Sequence, residues 1–211
     1  MAAGGNGKTM SELRVLVWSD FICPFCFVGL ERAHYLEREH GASVEWLPFD
    51  LHPEYPEDGI PRKELEERYG PGVHERTREA VEAAGLEYGP PERIPRSLKA
   101  LALAELARDR GLYREAHERL MRAYWSEARD LGDDDTLVEL AVEAGLDADE
   151  ARAALGDEGY RARVAGSTRA AQEHGVNAVP AFVLDDRLLV LGAHPHEVFD
   201  AAVAQLESKV A

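Results

Sequence analysis

The sequence predicts an α/β fold in which a βαβ opening and a ββα ending are separated by a long helical block. Three observations predict it. Strand-like apolar runs occur only near the two ends of the 211 residues. Between them, apolar residues recur at helical spacing for roughly 100 residues. The first predicted helix opens on Cys23-Pro24-Phe25-Cys26, directly after the first predicted strand.

Leu13–Trp18, LRVLVW, reads as a short and largely buried strand. Ser19–Ile22 then turns the chain. The helix that follows runs to about Glu39. Pro24 suits its first position, where a missing N–H costs nothing. Leu30, Ala33 and Leu36 give it an inward face, and Gly41 can end it. Val44–Phe49 reads as a second strand with Val44 and Trp46 on one face. Strand, helix and parallel strand make a βαβ unit.

From about Pro61 to Arg163 the pattern is helical, with no strand expected. Lys63–Arg68 and His74–Ala84 are short helices, and the prolines within Gly85–Pro95 break the chain. Leu98, Leu101, Ala102 and Leu106 line one face of the next helix, which ends near Gly111. Ala116, Leu120, Ala123 and Tyr124 mark another, and Leu137, Leu140 and Ala141 a third. Asp147 and Glu150 have the spacing of a capping box before Ala151–Leu155. A further helix fills most of Gly159–Gly175.

Strand signals return with Ala181–Leu184 and Leu188–Leu191, which flank Asp185-Asp186-Arg187 as an antiparallel hairpin. That turn does not match the favoured two-residue chemistry. Pro195 reads as the first residue of a last helix, with Val198, Phe199, Ala202, Val203 and Leu206 on its apolar face. A thioredoxin-like fold interrupted by an α-helical insertion explains both ends. It divides the chain into residues 12–60, an insertion over 61–163, and residues 164–208.

Composition narrows the function. The formal net charge is −16, which disfavours nucleic acid and anionic membrane. No apolar run is long enough for a transmembrane helix. The opening MAAGGNGKTM lacks the apolar middle of a secretory signal, so a cytoplasmic location is expected. The two cysteines cannot form a disulfide framework. In a reducing compartment, their three-residue spacing suggests reversible chemistry.

Cysteines at i and i+3 on a helix start can bridge without large backbone movement. The thiolate is the nucleophile, and the unpaired N–H groups of a helix N-terminus favour it. Cys23 is therefore assigned as the attacking sulfur and Cys26, one turn deeper, as the resolving one. Pro24 and Phe25 shape the motif, and Phe25 offers an apolar contact to substrate. Two blander readings compete: half of a zinc site, and a pair of inert core cysteines. Zinc needs two more ligands, and His34 and His40 are poorly placed to supply them. No metal is therefore expected.

Val179-Pro180-Ala181-Phe182 is the second informative stretch. Composition alone reads Pro180 as a trans, strand-start proline. Beside a redox pair the sharper alternative is a cis Val179–Pro180 bond against the cysteines. It would leave the Val179 backbone groups free to pair with an extended substrate.

Ser19-Asp20-Phe21-Ile22-Cys23-Pro24-Phe25-Cys26-Phe27-Val28-Gly29 resembles the opening of DsbA-like proteins of the FrnE-like branch, the polyketide-biosynthesis dithiol–disulfide isomerase type. Gly175-Val176-Asn177-Ala178-Val179-Pro180-Ala181-Phe182-Val183 is similar to the segment holding that family's cis-proline. Gly192-Ala193-His194-Pro195 falls where the family often has Gly-Ala-Gln-Pro, and Ser97-Leu98-Lys99-Ala100 loosely matches a family helix start. The resemblance covers about residues 12–207. It implies a DsbA-like fold, protein disulfide exchange, redox positions at Cys23 and Cys26, and a cis Pro180. Phe25 in place of Trp, Ala178 in place of Gly and His194 in place of Gln depart from the pattern without removing a sulfur. Related branches, the 2-hydroxychromene-2-carboxylate isomerases and kappa-class glutathione transferases, carry serine at the first redox position. Cys23 argues against their chemistry here.

The expected function is thus a thiol–disulfide oxidoreductase or isomerase acting on a disulfide-containing protein or a small thiol compound through an exposed Cys23. Glutathione or a thioredoxin-type protein would serve as reductant. No cofactor is implied, since electrons pass through the cysteines. A non-catalytic thioredoxin-like binding protein, a soft-metal carrier and a glutathione-dependent isomerase or transferase are the alternatives. Monomer and homodimer remain open, because the helix faces around Leu112–Tyr124 fit either. Asp20 is expected to cap or form the turn before Cys23. Asp133-Asp134-Asp135 is read as a helix cap, and His174 as decoration at a helix end. His194 and His196 are placed near the last helix start.

Overall fold

A computed structural model describes residues 13–208. Its main sheet has four strands in the order β2-β1-β5-β6: β1 (Arg14–Ser19), β2 (Ser43–Pro48), β5 (Ala181–Leu184) and β6 (Leu188–Leu191). β1 and β2 are parallel, with Val15 opposite Val44. β5 runs antiparallel to both β1 and β6. Helix α1 (Pro24–His40) links the parallel pair, and Gly41 ends it at φ 61°, in the left-handed conformation that glycine adopts without strain. The last helix, α9 (His196–Ser208), packs against α1 and β6. It starts one residue after Pro195. Phe199, Ala202, Val203 and Leu206 are buried, but Val198 is exposed, so the predicted apolar face is narrower than expected.

The hairpin strands have the expected boundaries. Asp185 and Asp186 both take left-handed φ angles, 49° and 53°. Short polar side chains tolerate that region. Asp185 also accepts the Arg14 amide through Oδ1 at 2.9 Å and donates its own amide to the Arg14 carbonyl at 2.8 Å. A turn that looks unfavourable as a dipeptide is held by the neighbouring strand.

The intervening segment carries α2 (Glu64–Tyr69), α3 (Val73–Ala83), α4 (Leu98–Asp109), α5 (Tyr113–Trp125), α6 (Asp134–Glu143), α7 (Ala148–Ala154) and α8 (Glu158–Glu173). It also contains strand structure, contrary to expectation. β3 (Ile60–Pro61) pairs antiparallel with β4 (Arg93–Ile94). Two-residue strands have no period to read, so only the pairing reveals them. Helix α8 runs unbroken across 163–164 and packs on both α4 and β2.

Helix α4 differs from a one-faced helix. All eight residues from Ala100 to Ala107 are buried, Glu105 included. Its alanines let neighbouring helices approach closely, and Arg108 meets the Glu105 carboxylate at 3.1 Å. A buried carboxylate so paired is consistent with the general cost of burying charge. Asp133 caps α6 through the Thr136 amide at 2.7 Å. Asp147 caps α7, while Glu150 does not return the bond; its carboxylate pairs with Arg110. The inward faces of α5 are covered by the chain's own core, which runs as one apolar cluster from Val15 to Leu206. No described helix is long and apolar enough to cross a membrane.

Candidate redox site

The turn between β1 and α1 builds the site. Asp20 Oδ1 accepts the Ile22 amide at 3.1 Å, and the Asp20 carbonyl accepts the Cys23 amide at 3.2 Å. This places Cys23 at the N-cap of α1 and Pro24 in its first turn. The amides of Cys26 and Phe27 bond back to the Cys23 carbonyl at 3.1 and 3.3 Å. Helix spacing therefore brings both sulfurs to one end of α1. They are free thiols, and Cys23 is near enough to Cys26 to raise its pKa.

Cys26 is fully buried, and Cys23 retains only 5 % of its surface. The expectation of an exposed Cys23 is thus corrected. Its Sγ turns inward to the Val179 carbonyl, 3.4 Å away. The Val179–Pro180 peptide is cis. The Val179 carbonyl is engaged by Cys23, so the expectation of free Val179 groups is corrected for that carbonyl; the Pro180 carbonyl accepts the Gly192 amide at 2.7 Å. Phe25, 47 % exposed, is the part of the motif that reaches solvent. Pro24 is half-buried.

Burial pushes the Cys26 thiol well above its ordinary pKa, and the adjacent Cys23 sulfur pushes it further. Hydrogen bonds from the Asp20 amide and the Ser19 hydroxyl oppose that rise. Asp20 is itself buried. Its Oδ2 accepts the Leu51 amide at 2.8 Å and the Ser97 hydroxyl at 2.9 Å. Burial nevertheless raises its carboxyl to about 7.

Beneath Ser19 lies His117, which the sequence reading did not single out. Its Nε2 is 3.3 Å from Ser19 Oγ. The ring is sandwiched by Trp46 at 4.3 Å and Phe21 at 5.3 Å, and Nδ1 has no partner. Burial lowers its pKa to about 3, so the ring is neutral. With the proton on Nε2, His117 donates to the Ser19 hydroxyl, the group that lowers the Cys26 pKa. The visible signal was a histidine in line with Tyr113, Leu120 and Tyr124 on an apolar helix face.

The other histidines lie elsewhere. His196 bonds Glu31 at 2.9 Å and stacks on Tyr35 at 3.8 Å. His194 is exposed, and its carbonyl accepts Arg32 Nε. His174 bonds the Ala170 carbonyl at the end of α8. His34 and His40 pair with Glu118 and Asp200. Among the described residues, no three His, Cys, Asp or Glu side chains form a metal-holding group.

Comparison with known proteins follows the same lines. A solved structure of a probable DsbA oxidoreductase from Streptomyces coelicolor is 34 % identical, with a TM-score of 0.84 over 92 % of this chain and 89 % of that one. YwbO, an uncharacterized protein of Bacillus subtilis strain 168, is 28 % identical over 93 % of this chain and 98 % of its own. The cytosolic disulfide reductase DsbM from Pseudomonas aeruginosa shares the fold, with a TM-score of 0.69 at 20 % identity over 93 % of this chain and 98 % of that one. The DSBA-like thioredoxin domain model matches residues 14–204, and the chain belongs to that family of thioredoxin-fold proteins.

Proposed function

We propose that this chain exchanges disulfides through a reversible Cys23–Cys26 pair. The observation that carries the reading is the meeting of both sulfurs at the head of α1, with Cys23 against the segment before Pro180. In the reducing direction, the Cys23 thiolate attacks one sulfur of a substrate disulfide. A Cys23–substrate disulfide forms, and the other substrate sulfur leaves as a thiolate that takes up a proton. Cys26, deprotonated, then attacks the Cys23 sulfur, and the second substrate thiolate leaves. Two electrons pass to the substrate, and the protein is left as the Cys23–Cys26 disulfide. The oxidising direction runs the same steps backwards.

The buried Cys26 fits the second step. Once Cys23 is tied up in the mixed disulfide, its thiol no longer raises the Cys26 pKa. The Asp20 amide and Ser19 hydroxyl remain to stabilise the Cys26 anion. Substrate would be disulfide-bearing protein or small thiol compound, met first by Phe25, with Pro24 and Val179 completing the contact. Glutathione or a thioredoxin-type reductant would regenerate the dithiol. A cytoplasmic setting belongs to the same reading, supported by the lack of any further cysteine.

Equilibration of the chain against a glutathione redox series, with mass analysis of each state, tests it. A two-electron transition is expected. Cys26→Ala should accumulate a mixed disulfide, and Cys23→Ala should not. A native pair that never cycles would overturn the enzyme reading.

A further inference from the structure

An open cavity lies in the helical segment. It measures about 860 Å³ and opens between the β3–β4 ladder and α3. Arg62, Lys63, His74, Arg78 and Arg93 line it, with Glu92 the only carboxylate in its wall. This is unexpected in a chain with 40 acidic and 24 basic side chains. Arginines elsewhere in the fold mostly have acidic partners. Among the described residues, Arg62, Lys63 and Arg93 have no carboxylate within ion-pair distance. The only ion pair at the cavity's cations joins Arg78 to Glu75 at 3.4 Å, and both side chains are largely exposed.

The cations are also held in place. Arg62 is half-buried, donating through Nε to the Pro91 carbonyl and through Nη2 to the Tyr124 hydroxyl, each at 2.7 Å. Its guanidinium lies 5.3 Å from the Trp125 ring centroid. Arg93 is fixed by the Asp58 and Gly59 carbonyls. Arg78 lies over the Tyr88 ring. Neutral partners fix Arg62 and Arg93 and leave their charge without an ion-pair partner, while Arg78 keeps its exposed contact with Glu75. Like charges held together without counter-charge repel one another, and an anion relieves that cost. A guanidinium presents its donors in a planar fork that matches carboxylate or phosphate oxygens. Tyr88 and the adjoining prolines supply an apolar wall.

We propose that this cavity binds a small organic anion carrying two or more negative charges on an apolar body. The proposal does not depend on the cysteines. One indole nevertheless separates the cavity from the redox segment. Trp125 stacks on Tyr88 at 6.1 Å and on Phe27 at 6.4 Å, and its Nε1 donates to the Phe21 carbonyl at 2.9 Å.

The test is calorimetric titration of the full chain carrying Cys23→Ala and Cys26→Ala, so that thiol chemistry cannot enter. Benzene-1,3,5-tricarboxylate probes the carboxylate source and phenyl phosphate the phosphate source. Saturable one-site binding of at least one probe is expected, and the tighter one identifies the source. Lys63→Glu with Arg78→Glu changes two solvent-facing cations and should weaken binding by about tenfold or more. Arg187→Glu, at the remote β5–β6 turn, should leave it unchanged. Absence of saturable binding by both probes would overturn the proposal. So would equal affinity in the Lys63/Arg78 variant, or an equal loss in Arg187→Glu.

Discussion

The Cys23 sulfur lies 3.4 Å from the Val179 carbonyl oxygen, joining residues 156 positions apart in the chain. A strand that follows a proline and a helix that starts on a cysteine are thereby coupled at one point. Any partner reaching Cys23 must displace or share that contact.

Pro180 and Phe182 pack beside Gly29 of α1. A Cβ added there would meet Pro180 Cβ and Cγ at 3.5 Å and Phe182 Cζ at 3.6 Å, which is ordinary contact. Gly29→Ala should therefore be tolerated and gain about 0.5–1 kcal/mol from helix propensity. Gly29→Leu gains a similar propensity term but overpacks the contact, which costs about 1–3 kcal/mol. Urea unfolding should show Ala at or above the parent and Leu below it. A Leu variant as stable as the Ala variant would mean that the wall is loose.

Ser19 should act on one step alone. Its hydroxyl stabilises the Cys26 anion, and a hydrogen bond to a charged group contributes about 1.5–3 kcal/mol. Ser19→Ala should prolong the mixed disulfide roughly tenfold or more while leaving its formation by Cys23 unchanged. Quenched-flow mass analysis separates the two rates. His117→Phe keeps the ring packing but removes the bond to Ser19, and should slow the same step by less. An unchanged mixed-disulfide lifetime in Ser19→Ala would remove Ser19 from the mechanism.

The placement of the cysteine pair was legible because local chemistry determined it: a strand, a turn and Pro24 set Cys23 and Cys26 on a helix start. The hairpin strands were legible for a similar reason, since each is a short apolar run between polar turns. What escaped depends on contacts between distant segments. Ser97 stands at the N-cap of α4 yet spends its hydroxyl on Asp20. His117 meets Ser19 across 98 positions. The β3–β4 pair has too few residues for periodicity, and the cationic cavity beside it is assembled from three separate stretches. Burial of Cys23 also escaped, because helix position predicts the dipole but not which way a thiol turns.

Phe25 offers a cleaner separation of binding from folding. Its ring is 47 % exposed, so Phe25→Ala should change stability by less than about 0.5 kcal/mol. Covering its exposed half against a protein substrate contributes on the order of 1 kcal/mol, so kcat/KM for a protein disulfide should fall about fivefold. A small, hydrophilic disulfide should be affected less. Equal losses for both substrates would place Phe25 in the chemistry instead of the contact.

Asp20 makes a prediction whose sign is fixed by its environment. Burial raises its folded pKa to about 7, against 3.8 for an unperturbed carboxyl. Between those values the folded chain keeps a proton that the unfolded chain releases. The Asp20 contribution to stability therefore falls as pH rises from about 4 to about 7 and is level above that, with a total change of about 4 kcal/mol. Asp20→Asn removes the titration. It also turns an amide N–H toward a donor that Oδ1 or Oδ2 now accepts, an unsatisfied contact costing about 1–3 kcal/mol at every pH. The parent should therefore be the more stable at pH 4, and its advantage should shrink or reverse by pH 8 in urea unfolding. Parallel stability curves for the two proteins would show that Asp20 does not titrate in this window.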